Sequence, residues 1–214
     1  MISLEDKLSL IGINYQTPKN LVAISPEDVL IDLANDPDLL SDKKNLILFI
    51  TWISHHYKLI HVERLKSILI DSYLNPMAMS LIGGISSYAE ALDHRFKVIT
   101  KLISSKLPSI EESLYIDDSY LLNKRGVDPH FSRFKIQLAK LEIENQRKLK
   151  PISQMIKDSP WIKNRILFGS NLRADIATIR ELSLANTAYA ASKIAKCSPN
   201  AAKRNWDDLE LVNF

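Results

Sequence analysis

Three segments near the C-terminal end each open on a residue that can cap a helix, and they constrain the fold more than any other part of the chain. They read Asn171-Leu-Arg-Ala-Asp-Ile-Ala-Thr-Ile-Arg-Glu-Leu-Ser-Leu, Thr187-Ala-Tyr-Ala-Ala-Ser-Lys-Ile-Ala-Lys-Cys and Ser198-Pro-Asn-Ala-Ala-Lys-Arg-Asn-Trp-Asp-Asp-Leu. Asn171, Thr187 and Ser198 can each offer a side-chain oxygen to the free N–H groups of a first helical turn. Pro199 follows Ser198 at the first helical position, where its missing N–H costs nothing. Only Lys196 and Cys197 remain as a turn between the second and third segments. Helices joined this tightly must cross at a steep angle.

That is helix-turn-helix geometry, and the pattern on the third segment suggests a use for it. Ala202, Trp206 and Leu209 are spaced four and three apart, share one face and are expected to pack inward. Asn200, Lys203 and Arg204 lie on the opposite face with Asp207 beside them. Such residues can reach base edges and phosphates from a major groove. Over roughly residues 160–214 the chain resembles the winged-helix branch of helix-turn-helix regulators, the MarR-like and ArsR-like kind, with Leu172-Arg-Ala-Asp-Ile176 as their first helix. The resemblance implies that Asp208 to Asn213 stands where these domains carry Asp-Leu-x-x-x-Gly, with Asn213 in the glycine's place. It also puts Lys196 at a turn position usually held by Gly. The chain ends at Phe214, where the first wing strand would begin, so the expected module is winged-helix-like with its wing missing. Residues 1–120 resemble no family.

Composition narrows the alternatives. A chain of 214 residues holds one large or two small domains. A hydrophobic share of 46% with 25% charged residues fits a soluble globular protein, and five glycines favour helices over tight-turned sheets. The single cysteine, Cys197, excludes an internal disulfide. In the predicted turn it reads as a buried structural thiol, because no His lies near it in sequence. A reducing, cytoplasmic location fits. The N-terminus, Met1-Ile-Ser-Leu-Glu-Asp-Lys, has no basic region or cleavable apolar stretch and is not read as a signal peptide. The apolar run from Leu46 to Ile53 is too short to span a bilayer, so no membrane association is expected.

Charge is distributed unevenly along the chain. Residues 1–120 hold 11 Lys+Arg against 16 Asp+Glu, residues 121–170 hold 11 against 4, and residues 171–214 hold 6 against 5. The part from 121 onward is therefore +8 and the part before it −5. A basic half beside a candidate recognition helix suggests a phosphate-facing surface.

Along the rest of the chain, residues 1–24 read as irregular, with Pro18 as a breaker. Ser25-Pro-Glu-Asp28 starts a helix that Asp36-Pro37 stops. Ser41-Asp42 caps a second helix to about Tyr57. A third spans His61 to Tyr73, with Leu65, Ile68, Leu69 and Ser72 inward. Gly83-Gly84 reads as a break, Tyr88 to Ser105 as one amphipathic helix, and Pro108 to Asp118 as a short helix and loop. Phe131 to Lys148 reads as a long helix, and Pro151 and Pro160 divide short ones. No run reads as a strand. The expected architecture is all-α: an acidic helical domain over 1–106, a basic connecting segment over 107–170 and the helix-turn-helix module over 171–214.

No residue set carries a convincing catalytic pattern. His55, His56, His61 and Glu63 invite a metal, but adjacent histidines point about 100° apart on a helix and no zinc spacing is present. Phe168-Gly169-Ser170 resembles the Gly-Ser of nucleotidyltransferases, yet Asp175 lacks the second nearby carboxylate of a metal clamp. Gly169 ending one helix and Ser170-Asn171 starting the next is the simpler reading. Trp52 and Trp161 read as core.

The expected function is thus a DNA-binding transcriptional regulator, antitoxin-like or defence-associated in one version, reading the major groove with the helix from Pro199 to Asp208. Asn200, Lys203 and Arg204 would meet bases and phosphates, and Arg173, Lys193 and Lys196 the backbone. The partners expected are double-stranded DNA and, through residues 1–106, a second protein or a second copy. No cofactor, metal or catalytic residue is expected. The alternative is a non-enzymatic protein-contact module on the same fold, and a remote third is a nucleotidyltransferase-like enzyme.

Overall fold

Side-chain caps set where most of the helices begin. The computed structural model describes residues 3–13, 24–36, 43–107, 114–115, 117, 119–143 and 148–212. Its elements in chain order are α1 (Leu4–Leu10), α2 (Pro26–Ala34), α3 (Lys44–His56), α4 (Val62–Asp71), α5 (Pro76–Leu92), α6 (Lys97–Lys106), β1 (Leu114–Tyr115), α7 (Ser119–Arg125), α8 (Pro129–Ser132), β2 (Ile136–Gln137), α9 (Ile152–Asp158), α10 (Pro160–Phe168), α11 (Leu172–Glu181), α12 (Ala188–Ala195) and α13 (Pro199–Leu211). The fold is mostly helical. Ser3, Ser25, Asn75, Ser159, Asn171, Thr187 and Ser198 each accept a backbone N–H three residues ahead, satisfying a donor that has no partner inside the helix.

The helices gather into two compact units, neither of them a continuous stretch. One comprises Met1–Val29, Lys58–Ser72 and Leu149–Phe214, the other Leu30–Tyr57 and Tyr73–Lys148. The expected segments 1–106, 107–170 and 171–214 are contiguous, so the two divisions cut the chain differently.

The first unit holds α1, the first turn of α2, α4 and α9 to α13. Its core is made by Trp161, Ile176, Ala177, Ile179, Ala191, Ala195, Ala202 and Leu209. The four alanines are small enough to let α11, α12 and α13 approach closely. The chain's beginning is fastened to α9. The Lys150 ammonium, 3% exposed, meets Asp158 at 2.8 Å and the Ser9 carbonyl at 3.1 Å. The residues before 24 are therefore not all irregular, because α1 is a helix capped by Ser3 with Leu8 and Leu10 buried. Pro18 lies outside the described residues.

In the second unit α5 packs against α3, α6 and α8, and two glycines make the closest approach possible. Gly83 and Gly84 were expected to break the chain, but α5 runs through them. A Cβ on Gly83 would run into the Phe134 ring and one on Gly84 into the Phe131 ring. The pair is a notch for two buried phenylalanines, which offsets the roughly 1 kcal/mol helical cost of each glycine.

That notch also accounts for the largest departure from expectation. Residues 131–148 do not form one long helix: α8 stops at Ser132, Lys135 turns left-handed at φ +65°, and Ile136 and Gln137 pair in parallel with Leu114 and Tyr115. Seating both phenylalanines needs this turn, and Asp128 holds it. Its carboxylate accepts from the His130 and Phe131 amides, the Leu141 amide and the Tyr88 hydroxyl. Two short strands thus occur where none was expected, one of them inside 108–118. Residues 88–105 are likewise divided. Asp93 is extended and caps a single 3-10 turn, His94–Phe96, before α6 starts. Ser41, Asp42, Pro37, Asn145, Arg147 and Asn213 lie outside the described residues.

Candidate functional site

The three C-terminal helices begin where their caps require. Asn171, Thr187 and Ser198 accept from the amides of Ala174, Ala190 and Ala201. Between α12 and α13 Lys196 adopts φ +56°, ψ +47°, the left-handed conformation that glycine takes most easily. The Cys197 amide reaches back to the Ser192 carbonyl at 3.0 Å, so the turn is a closed helical C-cap followed at once by an N-cap. Ala202 and Leu209 are fully buried. Trp206, expected to point inward, is only partly buried against the same core. Arg180 lies 4.9 Å from its ring, and its indole N–H donates to Glu210 at 2.8 Å.

The opposite face of α13 is open. Asn200, Lys203 and Arg204 are exposed. Lys203 pairs with Asp207 one turn on, at 2.8 Å, and Arg204 makes no ion pair among the described residues. Lys193 and Lys196 are exposed on α12 and the turn, Lys193 over the Tyr189 ring at 5.1 Å and Lys196 against Asp71 at 3.2 Å. These two and Ser198, which caps α13, line one cleft. Arg173 does not line it. Its guanidinium lies 5.7 Å from the Phe168 ring on the first turn of α11. The surface is bipolar: cations and Asn200 occupy the N-terminal half of α13, while Asp207, Asp208 and Glu210 occupy the C-terminal half.

Behind this surface lies a buried charge cluster whose members come from distant parts of the chain. Arg165 on α10 has no side-chain exposure, nor have its partners Glu27 on α2 and Asp175 on α11. It donates to Glu27 at 2.7 and 2.8 Å, to Asp175 at 3.0 Å and to the Leu59 carbonyl at 2.7 Å. His61 Nδ1 lies 2.6 Å from the second oxygen of Asp175, and the His61 amide donates to Glu27 at 2.7 Å. Arg64, 4% exposed, donates to Asp28 at 3.0 Å and to the Ile194 carbonyl in the last turn of α12. Burial alone would lower the Arg165 pKa, but the Glu27 and Asp175 carboxylates push it up instead. Burial would likewise raise Asp175, and Arg165, His61 and Arg64 hold it below the usual carboxylate range. Arg165 and Asp175 therefore stay ionised, and the cluster fixes α11 and α12 against the first turn of α2, α4 and α10.

The sequence set Asp175 near Gly169-Ser170 as a lone acid without the partner that a metal clamp needs. In the structure its two oxygens are committed to Arg165 and His61. Gly169 ends α10 at φ +81° and the Ser170 hydroxyl donates to the Lys58 carbonyl. In the sequence Arg165 is one more cation of the mixed run Trp161 to Phe168, which also holds Lys163 and Asn164. Of the histidines, His55 and His56 sit at the end of α3, where burial and then the neighbouring His55 lower the His56 pKa to about 4. Among the described residues no cluster of His, Cys, Asp and Glu could hold a metal ion, and no helix is long and apolar enough to cross a membrane. Burial, with Asp175 second, raises the Cys197 pKa; the thiol is part-exposed in the turn rather than buried as expected.

Comparison with protein families, with curated proteins and with solved structures finds no match for the chain.

Proposed function

We propose that the chain is a sequence-reading double-stranded DNA-binding regulator, with α13 as its recognition helix. The observation that carries this reading is the N-terminal half of α13. Asn200, Lys203 and Arg204 stand exposed opposite a face anchored by Ala202 and Leu209, on a helix entered through a two-residue turn. Recognition helices contact base edges with their N-terminal residues, and here the positive charge sits at that end. Lys193 and Lys196 flank it and suit backbone phosphates, which position without specifying. The winged-helix-like kinship, the cytoplasmic location and association through residues 1–106 belong to the same proposal. So does its non-enzymatic character, which draws support from Asp175 being taken up by ion pairs.

One observation favours a second reading, a protein-contact module. Asp207, Asp208 and Glu210 make the exposed C-terminal half of α13 acidic, and Leu211 and Val212 beyond them are 83% and 61% exposed. Titration against random duplex DNA across a salt series separates the two. DNA binding predicts an affinity falling steeply and log-linearly with salt. Absence of binding at low salt overturns the DNA reading in favour of the contact module.

A further inference from the structure

A cleft of about 460 Å³ opens beside the turn between α12 and α13, within the size range of small-molecule sites. One wall is the end of α4, with Ser67 and Asp71. The other is α12, the turn and the start of α13, with Ser192, Lys193, Lys196 and Ser198. Two lysines and a single carboxylate thus line it, and that carboxylate is already engaged by Lys196 at 3.2 Å. The hydroxyl donors point the same way. Ser198 uses its oxygen as an acceptor for the Ala201 amide, which leaves its proton to give. Ser67 makes no side-chain hydrogen bond among the described residues. Ser192 spends its proton on the Tyr189 carbonyl at 2.7 Å. The positive end of α13, a 13-residue helix, begins at Ser198. Arg64 fixes the walls by holding the Ile194 carbonyl.

We infer that this cleft binds a small phosphate ester, with Lys193, Lys196, Ser67 and Ser198 around the phosphate and Asp71 accepting from a hydroxyl on the remainder of the molecule. Phosphate offers several acceptor oxygens and about two negative charges near neutral pH, which matches a donor-rich site with excess positive charge. Occupancy draws Lys196 from Asp71 and engages the two lysines that flank α13. The regulatory consequence, weaker DNA binding when the cleft is filled, rests on the DNA-binding reading; the binding itself does not.

The test titrates inorganic phosphate into the full chain at constant ionic strength, with chloride as the balancing anion, and follows backbone amide shifts by NMR. The expected result is saturable shifts at Ser67, Lys196 and Ser198. The Kd should rise at least about tenfold in Lys193→Gln/Lys196→Gln, the scale of a lost charge-assisted hydrogen bond. It should fall in Asp71→Asn, which removes the competing carboxylate. Opposite effects from neighbouring substitutions are not produced by unfolding, and melting curves of each variant confirm the fold. Shifts that grow without saturating, that survive the lysine double substitution, or that fail to strengthen in Asp71→Asn overturn the inference. A second titration uses duplex DNA alone. DNA binding without a saturable phosphate response removes the cleft assignment only, and a phosphate response without DNA binding removes the DNA reading only.

Discussion

Arg165 and Glu27 are 138 positions apart in sequence and meet through two hydrogen bonds of 2.7 and 2.8 Å with no solvent at either side chain. Asp175 accepts from the same guanidinium, so one cation bridges two carboxylates from two other helices. Removing the cation leaves two buried carboxylates with only His61 and Arg64 to compensate them. Arg165→Ala should therefore destabilise the fold by ~3–5 kcal/mol. Arg165→Lys should recover little, because a point charge cannot make the forked contacts. Urea unfolding of the three proteins measures this, and an Arg165→Ala midpoint equal to that of the parent would mean the cluster is not buried.

The same cluster sets an acid limit. Asp175 has its pKa depressed in the folded state, so its contribution to stability is complete above the unfolded value of about 4 and is lost as pH falls through the folded value. Asp175→Asn should cost stability at neutral pH and flatten the decline below pH ~4. Chemical unfolding of both proteins along an acid series checks it; parallel declines would count against the ionised cluster.

His56 predicts a second loss of stability at milder pH. Its folded pKa lies at about 4 against an ordinary value of 6.5, chiefly through burial and then through His55. The unfolded chain therefore takes up a proton between those values that the folded chain refuses. Stability held above pH 6.5 should fall as pH drops towards 4. His56→Gln should flatten that window, and NMR titration of the imidazole reads the folded pKa directly. An ordinary His56 pKa would remove the prediction.

Gly84→Ala should destabilise the second unit despite the better helix propensity of alanine. The added methyl meets the Phe131 ring carbons, and overpacking of this kind costs typically ~1–3 kcal/mol against a gain of about 1 from propensity. Gly84→Ala combined with Phe131→Leu should lose less than the two single changes added together. Thermal melts of the three variants decide it, and a stabilised single mutant would mean the notch is loose.

For the proposed interface, Lys203→Ala/Arg204→Ala should weaken duplex binding by ~1–3 kcal/mol at least. Asp207→Asn should strengthen it, because Lys203 is then released from its 2.8 Å pair. Electrophoretic shifts with the same duplex measure both. Equal affinity across these variants would detach α13 from DNA binding.

A chain starting near Pro108 would carry Arg165 and Asp175 without Glu27, Arg64 or His61, leaving an incomplete buried cluster. The two units also divide the charge differently from the two ends of the sequence. By sequence count the second unit holds 13 Lys+Arg against 13 Asp+Glu, and the first holds 15 against 12. Interleaving the chain mixes the basic stretch 121–148 with the acidic residues of 30–57 and 73–120.

What the sequence determined by itself is local. Ser25, Asn171, Thr187, Pro199 and Ser198 mark helix starts because capping and proline geometry act within a few residues. The inward face of α13 at Ala202 and Leu209 follows from helical period alone. Lys196 marks the turn by position, but its left-handed conformation, taken without being glycine, belongs to the folded structure. The tertiary structure decided everything that depends on a distant partner. Gly83-Gly84 looks like a break until Phe131 and Phe134 fill the space. Residues 131–148 carry helical spacing, but Asp128, the buried rings and pairing with Leu114 and Tyr115 hold the described residues 133–143 otherwise. Arg165 looks like one more surface cation until Glu27 and Asp175 arrive from helices far along the chain. Caps and periodicity are written in neighbouring residues, whereas close approach and charge pairing are properties of surfaces that exist only once the helices have met.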